Sequence, residues 1–328
     1  MGPACGQDGS LYRRYPLFLK SQLKFLSLLA ALLLEQMRPV RAGNPVHASF
    51  DRYAAMLERH LNSGERHHVV LAWMLAVVPL ALVTIAVYYA LFAVNPLLAW
   101  LWNIAVLYLT MGFRQFSHYF TEIIRGLREA NVESARAYLA SWRGASASEF
   151  TAAEVARVSI ELALVGSHRH VFGPVAAFIV LGAAGPVVYR ASAMLAERWG
   201  ARTGDEFGDF GTFSRQAFFW LDWLPARLTA ASFAIVGNFE DAVYCWRTQA
   251  MSWTARANGV ILASGGGALG VRLGDALHET GHVEFRPELG TGDEADLDYM
   301  QSAVGLLWRA LVLWLFLIFV VTVAHSLG

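Results

Sequence analysis

Cysteine is almost missing from this 328-residue chain, with only Cys5 and Cys245 present. Two thiols are too few for a disulfide framework or a cysteine-based zinc site. Charge is scarce as well. Asp, Glu, Lys and Arg make up 16% of the chain, against about 25% in an ordinary soluble domain. The 26 basic residues balance 26 acidic ones. A nucleic-acid partner would call for a basic excess, and a disordered chain for low hydrophobicity with high net charge. Neither is found. What is present is 56% hydrophobic residues, a mean hydropathy of +0.40, and 11 Trp, 11 Tyr and 20 Phe. Those values describe a membrane protein with aromatic side chains at its interfaces, and make the lipid bilayer its expected partner.

The runs of apolar sequence agree. Residues 69–92 hold 24 consecutive positions without a charge, a helix of about 36 Å against a hydrocarbon core of about 30 Å. After the turn at Asn95 and Pro96 comes a second uncharged run, 97–113, so the two read as a transmembrane hairpin. A third run, 304–324, carries one charge, Arg309, near its start, from where the side chain can snorkel to the headgroups. Asp293, Glu294, Asp296 and Asp298 form an acidic lead-in to that helix; they lack the carboxylate spacing of a calcium loop. Residues 17–34, 171–189 and 217–236 are weaker candidates. The second of these contains Gly173, Pro174, Gly182, Gly185 and Pro186, which predict a broken or closely packed helix. The expected fold is therefore all-α: a polytopic membrane protein of four to six helices.

Arginine-rich stretches at 38–68 and 114–170 flank the hairpin, while its turn is uncharged. The positive-inside rule puts both stretches, and with six spans also 237–303, in the cytoplasm of a bacterial inner-membrane protein. Arg13, Arg14, Lys20 and Lys24 conflict with an external N-terminus. Residues 1–23 are accordingly expected to be a poorly structured extension ahead of a single membrane domain at 24–328. Within the loops, periodicity predicts helices over 116–142 and 148–166, the latter capped by Ser148. Six glycines in residues 258–274 predict a loop.

Several constellations bear on chemistry. His278-Glu-Thr-Gly-His282 fits H-E-x-x-H, where two histidines one helical turn apart bind zinc and the glutamate acts as base. The Pro- and Gly-punctuated residues that follow favour a plain polar loop. The glycines at 265, 267 and 270 lack the Lys-Ser/Thr of a phosphate loop. His168 and His170 precede an apolar segment as a polar patch able to take a metal or an anion. Asp222 and Arg227 share an apolar segment and need partners there, as do Glu35 and Arg114 at the ends of other segments.

Leu221-Asp-Trp-Leu-Pro-Ala-Arg-Leu228 followed by Ile235-Val-Gly-Asn, together with Leu33-Leu-Glu35, Leu127-Arg-Glu, Ser134-Ala-Arg136, Gly267-Ala-Leu-Gly270 and Arg286-Pro-x-Leu-Gly290, resembles the CobD/CbiB–AmpE superfamily of bacterial integral membrane proteins over about residues 24–326. The resemblance implies one of two roles. CbiB-type members join aminopropanol phosphate to a corrin carboxylate with ATP and Mg²⁺, forming adenosylcobinamide phosphate. Several acidic and amide positions of that pattern are replaced here, by Val165, Gly166 and Arg169, by Ala193 and Ala196, and by Gly144 to Ala147, while Arg136, Glu161 and Arg227 remain. On that ground the expectation is an AmpE-like, non-catalytic or cryptically catalytic protein of envelope or β-lactamase-induction signalling with cell-wall-recycling partners and no cofactor. The alternative is the cobalamin-pathway synthase, with ATP, Mg²⁺ and other proteins of that pathway. In either case the ligand is expected near Glu35, Arg114, Arg136, Glu161, His168, His170, Asp222 and Arg227.

Overall fold

The computed structural model describes residues 9–37, 45–61, 66–200 and 208–327. It is helical almost throughout. The helices are α1 (Gly9–Met37), α2 (Pro45–Leu61), α3 (Arg66–Val94), α4 (Pro96–Thr110), α5 (Phe113–Arg128), α6 (Val132–Arg143), α7 (Ala152–Ser167), α8 (Gly173–Leu181), α9 (Ala184–Gly200), α10 (Gly208–Val236), α11 (Phe239–Gln249), α12 (Arg256–Leu269) and α13 (Leu297–Leu327). Between α12 and α13 lie four three-residue strands, β1 (Arg272–Gly274), β2 (Leu277–Glu279), β3 (His282–Glu284) and β4 (Glu288–Gly290). They form two antiparallel pairs, β2 with β3 inside β1 with β4.

Among the described residues, three stretches are long and apolar enough to cross a membrane: His68–Val94, Ala152–Leu181 and Leu297–Ala324. Pro96–Thr110 is apolar but shorter. The chain is thus a polytopic α-helical membrane protein. The expected hairpin is α3 and α4, joined at Asn95, whose side chain accepts from Leu97 N at 2.8 Å and starts α4. The acidic lead-in works through Asp296, which accepts from the backbone of Asp298 and Tyr299, both at 2.9 Å.

Four local expectations change. The segment 171–189 is broken as its glycines and prolines predict, at Gly182, whose φ of +63° ends α8 and lets the chain turn into α9, but it is not itself the long apolar stretch. The apolar stretch instead runs from α7 through a π turn, His168–Phe172, into α8. It begins not at Ser148 but at Thr151, where a capping box with Glu154 satisfies both backbone donors. The predicted helix 116–142 divides at Ala130, φ +53°, with Asn131 capping α6.

The fourth concerns 258–274, which is mostly the helix α12. Its glycines are packing devices. A methyl on Gly267 would come within 2.5 Å of the Asp241 carbonyl oxygen, and one on Gly266 within 2.9 Å of Gly290 Cα. Close helix approach outweighs the weak helix preference of glycine. One large core joins α1, α4 to α8, α10 to α13 and the strands, and a smaller one joins α2, α3 and α9.

Gly267→Ala should therefore lower the unfolding midpoint of the detergent-solubilised protein, at a cost of about 1–3 kcal/mol. Gly305→Ala, where the new methyl meets open space, should raise it by about 0.5–1 kcal/mol. Equal shifts for the two would mean that α12 is not packed through its glycines.

Candidate functional site

The capping box at Thr151 sets the phase of α7 and so decides which residues face the strands. Glu154, Arg157 and Glu161 recur at three- and four-residue intervals and share a face. All three meet the 274–286 segment. Glu154 Oε1 accepts from His278 N at 3.0 Å and from His278 Nδ1 at 2.8 Å. Arg157 donates to the Ala276 carbonyl and to Asp275 Oδ2. Glu161, 6% exposed, takes a two-pronged contact from Arg286 at 2.8 and 3.1 Å and a third bond from Gly274 N at 2.7 Å. Arg286 also donates to the carbonyls of Gly274 and Asp275. A fork-to-fork Arg–carboxylate pair is the strongest class of side-chain hydrogen bond. Here it clamps the strands to the membrane helix.

About 10 Å further along the same helix, the π turn begins with Gly173 N donating to His168 O. Such turns add one residue to the helical ring and re-aim the side chains around it. His168 is 1% exposed and Asp222 2%. Asp222 Oδ1 receives His168 Nε2 and Tyr189 OH, each at 2.7 Å. On the other side of the ring, His168 Nδ1 lies 2.9 Å from Thr229 Oγ1. Thr229 Oγ1 also lies 3.0 Å from the Pro225 carbonyl of its own helix. The network ties the π turn to α9 and α10.

The next two residues point elsewhere. Arg169 pairs with Glu197 at 2.8 Å and reaches Asn258 Oδ1 at 3.5 Å. His170 accepts Gly112 N at its carbonyl, and Arg190, Arg169 and His47 lie within electrostatic range of its ring. His47, on α2, contacts the Leu109 backbone; burial first, and Arg190 second, hold its imidazole below the ordinary value. The notable member is Arg190. Its Nε is buried with no hydrogen-bond partner, and its charge faces Glu197 and Asp51 only at a distance. Four basic side chains thus gather here, one of them, Arg169, paired with Glu197 and another, Arg190, with a buried Nε that has no hydrogen-bond partner.

The structure thus joins His168 to Asp222, with Glu161 two turns away on the same helix, and places His170 apart, beside Arg169, Arg190 and His47. Arg136 lies apart, donating to the Phe150 carbonyl at 2.7 Å and pairing with Glu133. Asp222 and Arg227 do not meet: five residues turn a helix by about 140°, and Arg227 stacks on Trp223 at 3.9 Å. Glu35 is buried near the end of α1. Arg114 falls in the first turn of α5, and its side chain is outside the described residues. The zinc reading of His278 and His282 is corrected. They sit on β2 and β3, not on a helix, and with Glu279 opposite His282 the two histidines project from opposite faces of the ribbon. Arg190, Tyr189, Thr229 and His47 escaped the sequence reading. A lone arginine and tyrosine closing the apolar run 171–189 were the available signal.

No solved structure matches the chain. The family model described as CobD/Cbib protein matches residues 27–307. A "Cobalamin biosynthesis protein CobD" of Stutzerimonas stutzeri is 37% identical over 297 residues, covering 89% of this chain and 95% of that protein. Its namesake in Chromobacterium violaceum is 34% identical, covering 67% and 70%. One of Mycobacterium tuberculosis is 27% identical over 185 residues. These relatives overturn the expectation of AmpE-like signalling: the similarity runs to proteins named for cobalamin biosynthesis. Substitution of individual acidic positions was a poor guide to that similarity, which extends over most of the chain.

Arg286→Ala should leave the Glu161 carboxylate buried without its cation, at about 3–5 kcal/mol, read as a lowered unfolding midpoint in detergent. Arg286→Ala with Glu161→Leu should recover part of that loss. No destabilisation by the single variant would refute the clamp.

Proposed function

This chain belongs to the CobD/Cbib protein family, and on that premise we propose that it is a multi-pass inner-membrane enzyme of cobalamin assembly. The reaction it fits is amide formation between a corrin side-chain carboxylate and an aminoalcohol phosphate, with ATP as co-substrate, as in adenosylcobinamide-phosphate synthesis. The observation that carries this reading is Arg190, a half-buried side chain whose buried Nε has no hydrogen-bond partner and which shares its surroundings with Arg169, His170 and His47 as well as Glu197 and Asp51. All three reactants are anions, and a carboxylate or phosphate oxygen fills the vacant hydrogen-bonding position of an arginine.

Roles follow from the geometry. Arg190 and Arg169 bind the phosphate ester and hold its amine toward the corrin carboxylate, an ordering that converts a two-body encounter into a positioned one. His168, Asp222, Tyr189 and Thr229 saturate one another. They are positioning residues that hold the π turn. Magnesium is a separate matter. Among the described residues no three of His, Cys, Asp and Glu converge on one point, and Glu154, Glu161 and Asp222 are each engaged by a protein cation or donor. The donor set does not fit a resident Mg²⁺.

The test is amide product, followed by mass spectrometry, from purified protein with a corrin acid, aminopropanol phosphate, ATP and Mg²⁺. Wild-type protein should form product. Arg190→Gln should raise the KM for the phosphate amine at least tenfold, about 1.4 kcal/mol, with the unfolding midpoint unchanged. Arg227→Gln, on the far face of α10, should leave KM unchanged. No product from a well-folded wild-type protein would overturn the reading.

A further inference from the structure

Far from the cationic cluster, α10 and α13 leave a channel between them on the membrane-facing side. One hollow, of about 450 Å³, is lined by Val236, Trp308, Arg309 and Val312. Another, of about 480 Å³, is lined by Leu228, Ala231, Ile235, Leu313, Leu317 and Val321 among others, with Lys24 at its edge. The hollows lie end to end, since Ile235 and Val236, and Val312 and Leu313, are consecutive residues lining one and the other. From Arg309 to Thr322 the channel follows α13 for about 20 Å, more than the ~15 Å half-thickness of the hydrocarbon core. Its walls are almost wholly apolar.

Arg309 sets the polarity of this channel. It stands five residues inside the apolar run 304–324 and is exposed. Its Nε donates to Gly305 O at 3.2 Å. Among the described residues neither a carboxylate nor any other hydrogen-bond partner meets its two terminal amino groups. A guanidinium at such depth is costly unless an anion reaches it. The other cation is already used: Lys24 Nζ donates to Ile179 O at 3.4 Å, in the last turn of α8.

We propose that this channel is a binding site for an acidic glycerophospholipid, with the lipid phosphate on the Arg309 amino groups and one acyl chain laid along α10 and α13. Charge selects the lipid class. A zwitterionic headgroup brings its own ammonium toward Arg309, whereas an acidic one brings net negative charge. Trp308, beside the arginine and 42% exposed, suits the headgroup level. The site is independent of the amide-forming reaction.

The experiment is lipid retention by the full chain, delipidated in neutral detergent and titrated with phosphatidylglycerol or phosphatidylcholine under native mass spectrometry. Wild-type protein should hold one phosphatidylglycerol at least tenfold more tightly than phosphatidylcholine. Arg309→Gln should abolish that preference, and Arg309→Lys should keep part of it. Ala231→Trp, which fills the channel without touching the charge, should lose the lipid as well. Arg309→Gln alters an exposed side chain only, so it decides the matter even where Ala231→Trp does not fold. Equal retention of the two lipids, or undiminished preference in Arg309→Gln, would overturn the proposal. So would a halving of particle mass in either variant, which would make the channel an interface between two copies of the chain.

Discussion

The constraint on which the rest of this structure depends is the need to pair charge inside one apolar helix. The stretch 152–181 is long and hydrophobic enough to span a bilayer, yet it carries Glu154, Arg157, Glu161, His168, Arg169 and His170. In such surroundings an unpaired charge is a cost of several kcal/mol. Partners for five of the six come from elsewhere in the chain: His278, Asp275 and Arg286 from the strands, Asp222 from α10, and Glu197 from α9. The pairing assembles the molecule as much as the packing does. It brings the strand segment onto α7, and it locks α9 and α10 around the π turn.

Once those pairs are made, what is left over is informative. Among the cations beside this helix, Arg190 keeps a buried Nε without a hydrogen-bond partner. Glu161 would look like a catalytic carboxylate in isolation, but all of its contacts are to Arg286 and Gly274. The acids thus form a rigid ionic frame rather than a set of exposed carboxylates. The anion-binding role proposed for the cations beside that frame rests on the similarity to relatives named for cobalamin biosynthesis.

Much of the scaffold was legible in the sequence, and the reason is physical. Apolar runs of twenty or more residues with at most one charge have few other uses, so α3 and α13 stood out, and Asn95-Pro96 marked the start of α4 through cap and proline together. Where glycine carried the signal, the reading succeeded once and failed once. Gly182 breaks 171–189 as expected, because φ +63° is open to glycine. Gly265 to Gly267 suggested a loop where tight packing keeps a helix. His168, His170 and Asp222 were found because polar residues in apolar runs are rare. Their true relations were not, because Asp222 meets a residue 54 positions away rather than Arg227 five positions on. The H-E-x-x-H match failed for the same reason: spacing fits zinc only on a helix, and these residues form a hairpin. Judging function by lost acidic positions missed that the structure holds its acids in ion pairs.

The central claim is that an ionic frame around the π turn presents a cationic site for cobalamin assembly in the membrane. It is tested most directly by complementation. The chain, with membrane insertion verified, is expressed in a cobalamin auxotroph lacking the amide-forming synthase and supplied with cobyric acid. The account predicts growth, and loss of growth on replacing Arg190 with Gln. Failure of the well-inserted wild-type chain to restore growth, or growth undiminished by Arg190→Gln, would contradict it.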